Sequence, residues 1–317
     1  MTVYPGVLDL IGNTPLVDIS RLSPNPSSRI LAKLESQNPG GSVKDRVALA
    51  MVLEAEKDGT LVPGTGQVIV ESSSGNTGIG LAIIAKVRGY TLKVVLPENV
   101  SEERKQLLRI WGAEIISSPG SEGSNGAMRR AQDLAAGHAD WWFPFQYGNQ
   151  ANVQAHLEGT GPEIWRDCPE VTHLVAGLGT SGTLVGVGTF LKQHNPAVQV
   201  WAVEPPAGEM VDGLKNFDEG FVPPIFEANG GQDLLDRKMI VRPRQSLEWT
   251  RRLIEVGVFA GISSGAVLAG AHRCAGEVDG AVVVVVLPDG GWKYLSTGAW
   301  TDDLDVVEER AKRTMYF

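Results

Sequence analysis

Four stretches of this chain gather residue types able to handle a small anionic molecule. The first, NPGGSVKDR (38–46), sets Lys44 behind a glycine pair, with Ser42 as a plausible helix cap. A lysine in a first helical turn meets the positive end of the helix dipole, a mild penalty that Asp45 offsets in part. Taken alone, the segment fits a solvated surface lysine. Its chemical reading is an amine with a reason to react, as a neutral nucleophile or as a Schiff base to a carbonyl cofactor. The second, ESSSGNTGIG (71–80), crowds Ser73, Ser74, Asn76 and Thr77 at a strand-to-helix junction. Capping needs one such residue. A run of hydroxyls around the free N–H groups of a helix start suits a carboxylate.

The third, GLGTSGT (177–183), spells G-x-G-x-x-G between an apolar run and a helix-like run, and Glu204 closes the next apolar run. By spacing this is a dinucleotide fingerprint, which leaves a nicotinamide-dependent oxidoreductase open. Thr180, Ser181 and Thr183 add hydroxyls beside Gly179 and Gly182. These fit the three oxygens of a terminal phosphate better than a pyrophosphate, which needs only backbone. The fourth, GISSGA (261–266), places Ser263 and Ser264 at another helix start. One serine there is explained as a cap; the sharper option is a hydroxyl facing a ring nitrogen.

The elements that must carry these loops alternate along the chain. Strand-like runs RILAKLE, QVIVES, TLKVVLP, AEIISS, THLVAG, VQVWAVE and AVVVVVLP are separated by runs of helical period. Ser101 followed by Glu102 and Glu103 is a weakened form of a capping box. The order predicts an α/β protein with mostly parallel, twisted sheets covered by helices on both faces. The polar region 205–237 interrupts the alternation, and the turn-like FQYGNQAN (145–152) marks a candidate boundary between two halves.

Bulk properties limit the partners. The 317 residues carry a net charge of −9, which argues against nucleic acid or an anionic membrane surface. Cys168 and Cys274 have no ligand-like spacing, so neither a structural metal nor a disulfide framework is expected. The N-terminus lacks the pattern of a secretory signal, and the longest apolar run is too short to span a bilayer. A cytoplasmic protein is the expectation.

Taken together, IGNTPLV (11–17), NPGGSVKDR, SGNTGI (74–79), GTGPEIW (159–165), GLGTSGT, GISSGA and GWKYLSTG (291–298) resemble the cysteine synthase family of pyridoxal-phosphate enzymes. The similarity is strongest to its B-type branch, including actinobacterial phosphoserine-using enzymes. It implies the tryptophan-synthase-β-like fold, fold type II among pyridoxal-phosphate enzymes, in a homodimer. It also implies a large domain of residues 1–40 and 148–317 that binds the cofactor phosphate, and a smaller mobile domain of 41–147.

Residue by residue, Lys44 would bind pyridoxal 5'-phosphate covalently and serve as catalytic base. Asn76 would meet the cofactor's ring hydroxyl, Gly179, Thr180, Ser181, Gly182 and Thr183 its phosphate, and Ser263 its ring nitrogen. Ser73, Ser74, Thr77 and Gln146 would hold the substrate carboxylate; Ser73 stands where the family usually has threonine. The implied reaction is a β-replacement on an O-activated L-serine, giving L-cysteine. Its sulfur donor would be sulfide, thiosulfate or a sulfur-carrier protein. Lys215 lies where phosphoserine-using relatives carry arginine, in GLKNFDEGF, and tilts the expectation from O-acetylserine to O-phosphoserine. The rival readings are another β-replacement (cystathionine or diaminopropionate synthesis), a serine/threonine dehydratase, and a non-catalytic cofactor-bearing protein. The C-terminal segment carries no motif that assigns it a role.

Overall fold

In the computed structural model, which describes residues 3–73, 75–218 and 221–311, the β-branched runs become ten strands. They are β1 (Leu16–Asp18), β2 (Arg29–Leu34), β3 (Val68–Glu71), β4 (Thr91–Pro97), β5 (Glu114–Ser118), β6 (Trp141–Trp142), β7 (His173–Gly177), β8 (Gln199–Glu204), β9 (Arg237–Ile240) and β10 (Val282–Leu287). Two sheets result, ordered β1-β2-β10-β7-β8-β9 and β5-β4-β3-β6. Only the β1–β2 pair is antiparallel. The expected α/β class with mostly parallel sheets is what the chain adopts.

The strand β10, five valines ending in Leu287, lies near the middle of the larger sheet. Val284 pairs with Leu31 of β2 on one side and Leu174 of β7 on the other. Both of its faces are covered: Val283 and Val285 join one apolar cluster, Val284 and Val286 the other. A continuous apolar strand is the pattern such double burial demands. The smaller sheet has its own core, with Ile69, Ile84, Val94 and Leu108 buried together.

The helix after β3 runs Asn76–Arg88 and closes on Gly89, whose φ of 76° makes the left-handed C-terminal turn. Within 205–237, where no element was expected, two short helices form at Pro224–Ala228 and Gly231–Leu234. Ser101 does precede the helix Glu102–Ile110, but its hydroxyl makes no cap bond and is buried without a partner among the described residues; its carbonyl accepts from the Arg104 and Lys105 N–H groups. Ser42 stands one residue before the cap position, held by Val43, although its Oγ accepts the Lys44 N–H at 3.2 Å. The helix Leu304–Ala311 packs on Pro243–Leu253, and the chain beyond 311 lies outside the described residues. Both cysteines are free and buried, and Glu204 ends its strand paired with Lys238. Among the described residues no helix is long and apolar enough to cross a membrane.

Candidate active site

The C-terminal ends of parallel strands from both sheets open onto one cavity of about 480 Å³. Pro97 ends β4, Gly177 ends β7, and Pro205 and Pro288 directly follow β8 and β10; all four line it. Ligands collect at this edge of a parallel sheet because the loops there leave helix N-termini facing the same space. Of the residues singled out in the sequence, Lys44, Ser73, Asn76, Thr77, Gln146, Gly179, Thr180, Ser181, Thr183, Lys215 and Ser263 line this cavity. Gly182 sits directly behind it as the first residue of the helix Gly182–His194. Ser74 lies outside the described residues.

Lys44 is the first residue of the helix Lys44–Lys57. The loop before it is zipped to the end of β10: the Val43 N–H donates to Pro288 O at 2.8 Å. Burial pulls the Lys44 amine down to about 8, with the Asp289 and Glu35 carboxylates acting the other way. Asp45 does not simply offset the helix dipole. It is buried and accepts from the Gly40 N–H, and burial lifts its carboxyl to about 6 against the pull of Lys293.

Beneath that helix lies a buried ionic cluster. Arg46 donates to Glu35 and Glu163 at 2.7 Å each, Lys33 donates to Glu163 at 2.7 Å, and Thr14 Oγ1 donates to Glu35 at 2.6 Å. It joins three motifs that the sequence listed without a structural role: Thr14 from IGNTPLV, Arg46 from the lysine loop and Glu163 from GTGPEIW.

The phosphate-type loop is built by close approach. An added Cβ on Gly182 would fall 2.0 Å from Asn152 Oδ1, and one on Gly179 2.6 Å from the Gly213 carbonyl. Ser181 between them adopts φ 74°, a left-handed conformation a non-glycine residue rarely holds, and its Oγ is buried without a partner. The helix that follows leaves its first N–H groups unbonded within itself. An orphaned hydroxyl and open N–H groups in a cradle too tight for side chains fit a phosphate. Asn152 Nδ2 donates to Thr180 Oγ1 at 3.1 Å and to the Gln146 carbonyl at 2.8 Å. His156, in the π-helical turn His156–Thr160, contacts Thr183 Oγ1 through Nε2 at 3.2 Å and Thr160 Oγ1 through Nδ1 at 2.9 Å. Burial, reinforced by Arg46 and Lys44, holds this imidazole well below its ordinary pKa and hence neutral.

In the second loop the helix cap is Gly75 and makes no side-chain cap bond, so capping does not use the polar residues. Thr77 Oγ1 instead donates to Gln146 Oε1 at 2.7 Å, which joins two of the expected carboxylate-binding residues across the cavity. Asn76 is clamped: Lys293 Nζ donates to its Oδ1 at 2.7 Å, and its Nδ2 donates to Asp289 at 2.8 Å. Asp289 also accepts from Tyr294 OH at 2.7 Å. Ser263 lines the cavity at the start of the helix Ile262–Glu277. Lys215 is no solvated loop residue. Its Nζ sits 5.3 Å from the Tyr147 ring and 5.6 Å from that of Phe221, and burial lowers its pKa.

A buried lysine with a lowered amine, a glycine cradle holding an orphaned hydroxyl and a hydroxyl-rich helix start meet around one cavity on this two-sheet scaffold, an arrangement suited to a cofactor-dependent enzyme acting on an amino acid. The model of the pyridoxal-phosphate-dependent enzyme family matches residues 7–289, and the chain belongs to that family. Within it, the chain is 40% identical over 295 residues to cysteine synthase B of Salmonella typhimurium, covering 92% of this chain and 95% of that one. Solved neighbours include an O-ureido-L-serine synthase, with a TM-score of 0.88 and 38% identity over 94% of this chain and 96% of the other. They also include O-acetylserine sulfhydrylase isoform 3 of Entamoeba histolytica, with 0.87 and 34% over 97% and 96%.

Proposed function

We propose that this enzyme, a pyridoxal-phosphate-dependent cysteine synthase, takes O-phosphoserine in preference to O-acetylserine as the serine it activates. The observation that carries the preference is Lys215. It is a cavity-lining ammonium whose only charge-type contacts are aromatic faces, with no carboxylate paired to it among the described residues. A cation left in that state is suited to a ligand of roughly two negative charges, such as a phosphate ester. An acetyl ester offers it only a neutral carbonyl oxygen, with no counter-charge.

When bound, pyridoxal phosphate supplies the electron sink that stabilises negative charge on the substrate Cα. The chain's own residues do the rest. Thr180, Ser181 and Thr183, with the backbone of 179–182, hold the phosphate end. Ser73, Ser74, Thr77 and Gln146 orient the substrate carboxylate. Lys44, its amine lowered to about 8, removes the Cα proton and later returns it. Ser263 offers a neutral hydroxyl rather than a carboxylate to the ring nitrogen, which suits departure of a β-substituent over longer-lived carbanion chemistry. A sulfur nucleophile then takes the place of the departed group at Cβ: sulfide gives L-cysteine directly, whereas thiosulfate gives S-sulfo-L-cysteine, which an external thiol must reduce with release of sulfite. We further take 41–147, which contains the whole four-stranded sheet, as the unit that closes over substrate, and a homodimer as the working assembly.

Lys215→Ala tests the preference. The ratio of kcat/KM for O-phosphoserine to that for O-acetylserine is expected to fall about tenfold, the value of one lost charge-assisted bond. Equal losses on both esters would remove the case for phosphoserine. Product analysis with alternative nucleophiles separates cysteine synthesis from the other β-replacements.

A further inference from the structure

Arg104 is not used by the chemistry above. It sits in the first turn of the helix Glu102–Ile110, on the smaller-sheet side, and it lines the cavity. Only 1% of it is exposed, and Nε, Nη1 and Nη2 are all buried without a hydrogen-bond partner among the described residues. Its one direct contact of charge type is the face of Tyr294, with Cζ 4.9 Å from the ring centre. A buried guanidinium with none of its N–H groups bonded is among the costliest arrangements a protein can hold, so an acceptor is missing from this wall.

A carboxyl within electrostatic range of Arg104 is Asp212, in the loop after β8. It feels Arg104 electrostatically but makes no bond to it, and burial lifts its carboxyl to about 7 although Arg104 pulls the other way. The ring hydroxyl of Tyr294 is already committed to Asp289. Of the other cavity cations, Lys44 is assigned to the cofactor and Lys215 stands on its aromatic platform.

We propose that Arg104 binds a tetrahedral, doubly charged oxyanion entering this cavity, gripping two of its oxygens with the planar fork of N–H groups. Arginine favours such two-point contacts with phosphate-like groups, and the ring of Tyr294 keeps the fork flat and desolvated. Two sources carry that chemistry: the ester phosphate of O-phosphoserine, for which the inference rests on the reading above, and free thiosulfate acting as sulfur donor, for which it does not. Because Arg104 and Lys215 come from opposite sides of the cavity, an anion held by both would also draw the smaller-sheet side inward.

Inorganic sulfate is the probe, titrated calorimetrically into holoenzyme so that the cofactor already fills the 177–183 cradle. Arg104→Gln is expected to weaken sulfate binding about tenfold, and Arg104→Lys, which keeps the charge but loses the fork, to weaken it measurably. Kinetics then name the source. With sulfide as donor, a selective rise of about tenfold in KM for O-phosphoserine relative to O-acetylserine assigns the ester phosphate. With O-acetylserine as acceptor, a matching rise in KM for thiosulfate relative to sulfide assigns the donor.

Sulfate affinity that is the same in wild type and both variants overturns the proposal, as does an equal loss for every substrate pair. Should Arg104→Gln fail to fold, the comparison of wild type with Arg104→Lys decides alone. If Lys215→Ala shows no phosphoserine preference while the sulfate and thiosulfate effects at Arg104 hold, the substrate reading fails and the anion site stands. If the preference holds and sulfate is indifferent to Arg104, the anion site fails and the substrate reading stands.

Discussion

The proposed chemistry centres on Lys44, and the environment of its amine makes two outcomes predictable. Lys44→Ala is expected to abolish the visible absorbance of the tightly held cofactor and to cut turnover by about a thousandfold or more. Cysteine formation at the wild-type rate in that variant would show that another group does the work. The lowered amine pKa also has a sign. An ordinary lysine (10.5) is protonated through neutral pH, whereas at about 8 the free, nucleophilic form accumulates above pH 8. Reloading of cofactor-stripped enzyme should therefore accelerate with a midpoint near pH 8; a midpoint near 10 would mean the amine is solvated.

At this scale the sequence showed what local pattern can show. Lys44, the hydroxyls of 180–183 and Ser263 announce themselves by sitting at strand-to-helix junctions. Asn152, His156, Asp289, Lys293, Tyr294 and Arg104 did not, because their roles exist only in contacts across the fold. Lys293 reaches Asn76 from 217 positions away. GWKYLSTG was visible as a motif, but nothing in its spacing says that it clamps the second loop. Arg104 carried no signal of its own in a helix start that reads only as a weakened capping box.

Elements hold these residues in place, and the helix of Lys44 depends on the ionic cluster under it. Burial would push the Glu163 carboxyl up, but its bonds to Arg46 and Lys33 more than offset this and hold it at about 2. A depressed carboxyl stabilises the fold above its ordinary value of 4.5 and loses that contribution as pH falls toward 2. Glu163→Ala takes from the buried Lys33 the carboxylate it is bonded to, leaves Arg46 with Glu35 alone, and should cost about 3–5 kcal/mol in urea unfolding at pH 7. The difference from wild type should shrink between pH 5 and pH 3. A loss under 1 kcal/mol, or one independent of pH, would show that the cluster does not carry the helix.

Element boundaries were legible where period and punctuation agree, as in Asn76–Arg88 with Gly89 behind it. The strands β1, β6 and β9 escaped notice: β1 and β6 have three and two residues, too few to show a period, β6 pairs with β3 some 73 positions away, and β9 reads RKMI, with two cations and no alternation.

For the whole molecule, one cavity gathers strand ends from two sheets, so ligand binding and the relation between the sheets are coupled. Substrate held by Thr77 on one side, against a cofactor seated in the 177–183 loop on the other, should favour closure. Protease nicking within 205–223 or hydrogen exchange in the 72–77 loop should slow severalfold on adding O-phosphoserine to holoenzyme; unchanged protection would argue for a rigid site. The sequence carried the two-sheet plan through its alternation of strand and helix. It could not show that both sheets point their C-terminal edges into the same space, since that is a property of packing.

The central claim is a Lys44-dependent β-replacement that prefers a phosphate leaving group. The most direct measurement supplies purified holoenzyme with sulfide and either O-phosphoserine or O-acetylserine, and follows cysteine together with released phosphate or acetate. The prediction is one phosphate per cysteine and a higher kcat/KM for O-phosphoserine, both lost in Lys44→Ala. A faster reaction with O-acetylserine would contradict the preference, and release of the leaving group without cysteine would contradict the replacement itself.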